Sequence, residues 1–557
     1  MFATATASRT RWHPLSLLIL LAAWLAVAGN LPLWSAMWQL PEHQGWHGVR
    51  AVGTWVLLVW GATTTVLALV AWRGWARPLG LALMFVSAAS SYFMASYGIV
   101  VDPSMMANVA HTDLHETLDL MSWPLGVSVL VGCLLPGWWW WTRPRRPVPM
   151  LRLASQHLGL AVGALGLTAL VLWLGFQDAA TLMRNHKQLR YMVNPLNTVY
   201  AATRLALDEG LTSAAQAHAP LTRIATDAHL AAPPTSTGDP DHAPLIVMVV
   251  GETARAANFG LQGYARDTTP QLKHLQAQGP GQLVYFNDVT SCGTNTHTSL
   301  PCLFSLQGRD GVGQESRHEN LLDVLQRAGL AVAWVDNQSG CKGVCDRVPT
   351  TDARSFKDPA HCSDDDCLDS VLPPHLPGVL SALNPERRAK GTILVLHQMG
   401  SHGPAYHHRS APALKAFLPE CTEPALPQCA PETIVNAYDN SLRQTDQLLS
   451  QTIAWLAAQD RPTALLYVSD HGESLGENGL YLHGMPYRMA PSTQTHVPML
   501  VWVSPRMAQL RDWTTSCLSA RAREPLSHDH VFGTVLKLAG VRTQAVPKGR
   551  DALARCR

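Results

Sequence analysis

Between Leu465 and His483 the chain reads LLYVSDHGESLGENGLYLH. Leu465, Leu466, Tyr467 and Val468 predict a short buried strand, and the break at Ser469 opens a polar loop holding Asp470, His471, Glu473 and His483. A carboxylate beside an imidazole at the C-terminal end of a strand lies where an open α/β sheet keeps its reactive groups. Both side chains are good ligands for a zinc-like ion.

Two more predicted strands end on residues of the same kinds. Leu245 to Val250 runs into Gly251, Glu252, Thr253, Ala254 and Arg255, and Thr392 to Leu396 runs into His397, Gly400, Ser401, His402 and Gly403. A Glu, an Asp and a His meeting at one sheet edge form a mixed oxygen and nitrogen set that suits Zn²⁺ and leaves a fourth position for a reacting oxygen. The segment SCGTNTHTSLPC, from Ser291 to Cys302, offers that oxygen, because a hydroxyl beside such an ion is a competent nucleophile at neutral pH. His402, His483 and Lys342 carry the N–H groups that would offset charge on phosphate oxygens.

These residues need a scaffold, and the patterning supplies one. Predicted strands at Leu245 to Val250, Leu330 to Val335, Thr392 to Leu396, Ala464 to Val468 and Met499 to Val503 alternate with helical patterns near Glu319 to Ala328 and Ile434 to Ala457. The expected fold is an α/β domain with a mostly parallel sheet sandwiched by helices. No internal repeat is visible.

The first 177 residues differ in character. Apolar stretches near 14–38, 49–72, 79–101, 121–141 and 155–177 each approach the roughly 20 residues that span a bilayer, and the first reads as an uncleaved helix. Arg9 and Arg11, Arg73 and Arg77, and Arg143, Arg145, Arg146 and Arg152 flank one side of these spans. The other side holds Glu42, Asp102, Asp113, Glu116 and Asp119, against Arg50 at a span edge. The positive-inside rule places the N-terminus in the cytoplasm and everything after the fifth span on the far side. Trp138 to Trp141 read as an aromatic anchor at an interface. Expected domains are a five-helix transmembrane bundle over 1–177, a bridging helix around Val199 to Leu211 with a Pro/Ser/Thr/Gly linker to 243, and a catalytic domain over 244–557.

Ten of the 11 cysteines follow residue 290, in close pairs: Cys292 with Cys302, Cys341 with Cys345, Cys362 with Cys367 and Cys421 with Cys429, then the outlying Cys517 and Cys556. Disulfides in an oxidising compartment explain this better than a zinc cluster, since no CxxC pair repeats. Cys133, inside an apolar run, is expected to be a free thiol. A net charge of +2, with no arginine-rich arm, gives no support to nucleic-acid binding.

The segments GETAR (251–255), TSCGTNTHTSLPC (290–302), DNQSGCKGVCDR (336–347), HQMGSHGPAY (397–406) and SDHGESLGENGLYLHG (469–484) occur in this order. They resemble the signature segments of the membrane-bound phosphoethanolamine transferases, which modify lipid A, include the mobile colistin-resistance enzymes, and lie within the alkaline phosphatase and sulfatase superfamily. The resemblance implies Thr296 as nucleophile and Glu252, Thr296, Asp470 and His471 as ligands of one tightly held zinc, with room for a second ion. It implies that Lys342, His402 and His483 hold the phosphate, and that Asn108, Thr112 and Glu116 hold the donor headgroup on one helical face. Gln338 stands where relatives carry Asn or Asp, and no role is carried over to it.

The implied reaction takes phosphoethanolamine from phosphatidylethanolamine, passes it through a phosphoethanolamine-threonine, and delivers it to lipid A, giving polymyxin resistance. The implied place is the bacterial inner membrane with a periplasmic catalytic domain, as a monomer. Alternatives are a transferase acting on core Kdo or heptose, a phosphoglycerol transferase, a membrane-tethered sulfatase or phosphatase, and a non-catalytic sensor or scaffold. The lack of a CxPxR-like segment counts against a sulfatase.

Overall fold

The computed structural model describes residues 11–43, 45–112, 114–216, 221–231, 239–279, 282–363 and 366–556. Arg9, Asp113 and residues 232–238 of the expected linker lie outside the described residues, as do the side chains of Glu42 and Glu116. The chain forms two compact units, one of Met1–Met106 with Met121–Glu209 and the other of Ala107–Leu120 with Gly210–Arg557.

Among the described residues the first unit holds five helical segments long and apolar enough to cross a membrane: Pro14–Trp38, Trp46–Val70, Arg73–Tyr97, Trp123–Thr142 and Met150–Leu174. Leu17, Leu21 and Leu25 pack with Leu67, Met84 and Trp140 inside the bundle, while Leu20, Val66, Leu165 and Trp173 face outward. Helices apolar on all sides suit a hydrocarbon solvent, where only internally bonded backbone is tolerated. The first segment is not one straight helix, because a 3₁₀ turn at Ala28–Asn30 separates Pro14–Val27 from Leu31–Trp38. Asn30 fills that break: its buried amide donates to Leu25 O at 2.9 Å and Asn194 O at 2.6 Å, and its oxygen accepts from Asn194 N at 2.7 Å. The fourth segment widens to a π turn at Leu130–Leu134, just before Pro136, whose ring removes one amide donor from the ladder. The tryptophan run divides. Trp138 and Trp141 are exposed, as an anchor requires, but Trp140 is buried in the bundle.

The second unit is built on a seven-stranded sheet. Its strands are β1 (Leu245–Gly251), β2 (Leu283–Phe286), β3 (Ala331–Asp336), β4 (Thr350–Asp352), β5 (Thr392–His397), β6 (Thr463–Ser469) and β7 (Met499–Val503). They lie in the order β2-β7-β6-β1-β5-β3-β4, with β7 antiparallel to both its neighbours and the other pairs parallel. The central strands are buried at every position, which explains their continuous Val, Leu and Ile runs. The long helix Pro431–Ala457 starts with Pro at its first turn, where a missing amide costs nothing, and buries Tyr438, Leu442, Leu449, Ile453 and Leu456. Register fixes the site edge. Gly251 pairs with Ser469, Val250 with both Val468 and His397, and His397 with Asp336, so the loops after four strands emerge side by side.

Five disulfides join Cys292–Cys302, Cys341–Cys345, Cys362–Cys367, Cys421–Cys429 and Cys517–Cys556. Cys133 is a buried free thiol.

Candidate active site

Glu252 follows β1, and Asp470 and His471 follow β6 across the Gly251–Ser469 register pair. The two loops are stitched to each other: Asp470 N donates to Gly251 O at 2.9 Å, Thr253 N to Asp470 Oδ1 at 3.2 Å, and Ala254 N to Ser469 Oγ at 2.9 Å. Thr253 sits at φ +53°, a left-handed backbone that a β-branched residue keeps only where its surroundings over-determine it. The loop after β5 closes from the other side. Ser401 N donates to Glu252 O at 3.0 Å, and Gly400, at φ +57°, brings its backbone so close that a Cβ would lie 2.5 Å from that same oxygen.

Thr296 arrives on a different device. It is the first residue of the helix Thr296–Leu303, whose N-cap Asn295 accepts from Thr298 N at 2.9 Å. The preceding turn is pinned by the Cys292–Cys302 disulfide, by His528 Nδ1 accepting from Cys292 N at 3.2 Å, and by Gly484 N donating to Thr294 O at 2.8 Å. A hydroxyl at a helix N-terminus lies at the positive end of the dipole, which favours its anion and any phosphoryl group bound to it.

These devices bring Thr296 Oγ1 to 3.0 and 3.2 Å from the two Glu252 oxygens and 3.4 Å from His471 Nε2. His471 Nε2 is in turn 3.3 Å from Glu252 Oε1 and 3.3 Å from Asp470 Oδ2. Burial and the Glu252 charge push the Asp470 carboxyl up to about 7. Burial opposes charge on His471, but Asp470 and Glu252 outweigh it and raise the ring to about 10. Glu252 is likewise disfavoured as an anion by burial, yet its hydrogen bond and charge contact with His471 hold it below the ordinary carboxylate range. The pocket therefore draws positive charge.

The donor set fits a divalent ion. Glu252, Asp470 and His471 are all buried with their donor atoms converging. Asp470 Oδ2 has no hydrogen-bond partner despite full burial, and His471 Nδ1 bonds Gly472 O at 2.9 Å, leaving Nε2 as the ligating nitrogen.

A second layer surrounds this centre. The His483 ring stands 4.4 Å from His471 and 5.6 Å from His402, centroid to centroid. His483 Nδ1 bonds Glu473 Oε2 at 2.8 Å, and Glu473 Oε1 accepts from Tyr406 OH at 2.6 Å. Lys342 directs its ammonium to Ser339 Oγ at 2.9 Å and His111 O at 3.3 Å. His111 also stacks on His297 at 4.7 Å, next to Thr296 in sequence.

Compared with known proteins, residues 59–209 match the family described as "Phosphoethanolamine transferase EptA/EptB" and residues 244–541 match the "Sulfatase" family. Phosphoethanolamine transferase EptA of Salmonella typhimurium is 37% identical over 549 residues, covering 97% of this chain and 96% of that protein. Phosphatidylethanolamine transferase Mcr-1 of Escherichia coli is 35% identical over 563 residues, with 97% of each chain covered. This chain belongs to the phosphoethanolamine transferase family. The full-length structure of the integral membrane lipooligosaccharide phosphoethanolamine transferase A of Neisseria meningitidis agrees, with a TM-score of 0.90 at 33% identity over 98% of this chain and 100% of that one.

Within this transferase, Asn108, Thr112 and Glu116, the residues expected to meet the donor headgroup, are less regularly placed than their spacing suggests. Asn108 lies in the helix Pro103–Ala110 and Glu116 in the separate helix Leu114–Asp119, so one unbroken helical face does not carry all three residues. Thr112 falls between the helices and donates to Asn108 O at 2.8 Å. Gln338, given no role from the sequence, donates to Glu252 Oε2 at 2.9 Å. Its position at a strand end, two residues after Asp336, is the only signal that the sequence carries for it.

Proposed function

We propose that this transferase moves phosphoethanolamine from phosphatidylethanolamine to a phosphate of lipid A through a covalent intermediate on Thr296. The observation that carries this reading is the placement of one buried hydroxyl, at a helix N-terminus, within 3.0–3.4 Å of a carboxylate and an imidazole. Likeness to a protein called a phosphatidylethanolamine transferase supports the donor, and likeness to a lipooligosaccharide-modifying one supports the acceptor.

Glu252, Thr296, Asp470 and His471 would hold a zinc ion. When bound, such an ion lowers the pKa of a neighbouring hydroxyl and offsets charge on phosphoryl oxygens. Thr296 Oγ1 forms a bond to the donor phosphorus as the bond to the diacylglycerol oxygen breaks. The Thr296 proton, shared at 3.0 Å with Glu252, ends on the departing diacylglycerol. In the second half a lipid A phosphate oxygen forms a bond to the same phosphorus as the Thr296 Oγ1–phosphorus bond breaks, and the proton that oxygen carried returns to Thr296. The N–H groups of His402, His483 and Lys342 face the negative phosphoryl oxygens, with Glu473 fixing the His483 ring. Asn108, Thr112 and Glu116 hold the donor's ethanolamine end.

Residues 178–243 act as the bridge between an inner-membrane anchor and a periplasmic catalytic domain, a compartment consistent with five disulfides.

The test is mass spectrometry of lipid A from a host lacking such an enzyme, expressing either the natural chain or Thr296→Ala. One phosphoethanolamine added to lipid A by the natural chain alone is the expected result. Unmodified lipid A with modified core sugars would overturn the acceptor, and transfer by Thr296→Ala would overturn the nucleophile.

A further inference from the structure

The transmembrane unit contains a cavity of about 210 Å³ lined by Arg73, Arg145, Arg146, Trp140, Leu18 and Leu153 among others. Orientation alone accounts for arginines in loops, but orientation keeps guanidinium groups in water. Arg145 departs from that pattern. Among the described residues its Nε and Nη2 are shielded from solvent with no hydrogen-bond partner, while Nη1 reaches the backbone oxygen of Arg73 at 3.3 Å. Its guanidinium lies 4.8 Å over the Trp140 ring, which is buried. Arg73 is itself held at φ +43°, a conformation a long side chain seldom adopts.

A counter-charge is missing. Residues 11–13, 71–77 and 142–152, which form this end of the bundle, contain no Asp or Glu, and among the described residues no ion pair is made by Arg73, Arg145 or Arg146. Arg145 lies between spans four and five, and burial first, then the Arg77 charge, lowers its pKa to about 10. A partly buried guanidinium whose Nε and Nη2 are shielded and unused is completed by an anion.

We propose that this cavity binds the phosphodiester of an anionic phospholipid that lacks an amine, of the phosphatidylglycerol class, with Arg145 as the central donor and Arg73 and Arg146 at its rim. A lipid fits better than a free anion because Leu18 and Leu153 supply an apolar wall beside the guanidinium groups, at the ends of helices that span hydrocarbon. Phosphatidylethanolamine fits worse, since its ammonium would sit among arginines with no carboxylate to receive it. The site is thus separate in chemistry from the one that holds the donor lipid.

The test uses the full-length chain, purified in detergent and stripped of lipid, with phosphatidylglycerol, phosphatidylethanolamine and inorganic phosphate added separately. Native mass spectrometry and thermal unfolding provide the readouts. Phosphatidylglycerol is expected to be retained and to raise the unfolding temperature, with at least tenfold weaker binding to Arg145→Gln, while the other two have little effect. Arg145→Gln leaves the other arginines on this side of the spans to set orientation. Equal retention of phosphatidylethanolamine, unchanged phosphatidylglycerol binding by Arg145→Gln, or an equal stabilisation by inorganic phosphate would each overturn the proposal. If Arg145→Gln does not accumulate, photoreactive phosphatidylglycerol on the natural chain decides: cross-links within 71–77 and 140–157 support the site, and cross-links elsewhere refute it.

Discussion

Gln338 and Glu252 are 86 positions apart, yet one amide hydrogen bond of 2.9 Å joins them. That bond aims Glu252 Oε1 at His471 and steadies a carboxylate proposed as a metal ligand. Gln338→Leu keeps the volume and removes the donor, leaving a buried carboxylate oxygen short of one partner. Losing a partner at a buried charged group costs about 1–3 kcal/mol, and outer-shell losses of this kind weaken metal affinity roughly 10–100-fold. The expected outcome is a folded chain whose zinc content, measured after dialysis against a chelator, falls well below that of the natural protein; equal retention would reduce Gln338 to packing. Thr296→Ala should likewise leave the fold intact but lower transfer by roughly three orders of magnitude or more, because removing a nucleophile leaves only binding and electrostatics. Lipid A transfer and thermal unfolding of the same preparation separate these effects. Single residues are legible in the sequence only where a strand end exposes them. Glu252, Asp470 and His471 stand out in that way, whereas the partnership of Glu473 with Tyr406, 67 positions away, depends on a loop crossing that no local pattern encodes.

At the scale of elements, β1, β3, β5, β6 and β7 are legible because buried strands are written as unbroken apolar runs. The remaining two are not: β4 reads Thr350–Asp352 and is an exposed edge, and β2 is only Leu283–Phe286. Nor does an apolar run say which way it points, so the antiparallel setting of β7 emerges only from its register with β6. The turn before Thr296 is tied to a titratable side chain. His528 joins it to β6, accepting from Cys292 N at Nδ1 and donating through Nε2 to Ser469 O at 2.9 Å, and the acceptor contact requires the neutral ring. Burial pushes its pKa down to about 4. An unfolded His titrates near 6.5, so the native state binds fewer protons between about 4 and 6.5. The His528 contribution is therefore complete above about 6.5 and is lost as pH falls through that window, by up to about 3 kcal/mol. Denaturant melts of the full-length chain at pH 7 and pH 4.5 should show His528→Gln losing less stability on acidification than the natural chain. An identical loss in both would mean that other groups set the acid limb.

At the scale of the whole molecule, composition alone separates the apolar first third from the cysteine-bearing remainder, because hydrocarbon and an oxidising aqueous space select different residues. What composition does not supply is the segment Ala107–Leu120, which comes from between the third and fourth spans yet clusters with the catalytic unit. Within that unit Asp119 meets Arg409 at 2.8 Å, and His111 meets both Lys342 and His297. If the proposed transfer to lipid A holds, its consequence for the cell is electrostatic. Each lipid A phosphate that receives phosphoethanolamine gains an ammonium at its outer end, and one unit charge near an anionic lipid surface is worth about 1 kcal/mol to a bound cation. Polymyxin binding should therefore weaken roughly fivefold per capped phosphate, the ratio that 1 kcal/mol gives at room temperature. The measurement is binding of a fluorescent polymyxin to whole cells across a range of ionic strength, with Thr296→Ala as control. The difference between the two strains should shrink as salt rises, since screening acts on surface charge. A difference that persists unchanged at high salt would mean that weaker polymyxin binding does not arise from a change of charge on lipid A phosphates.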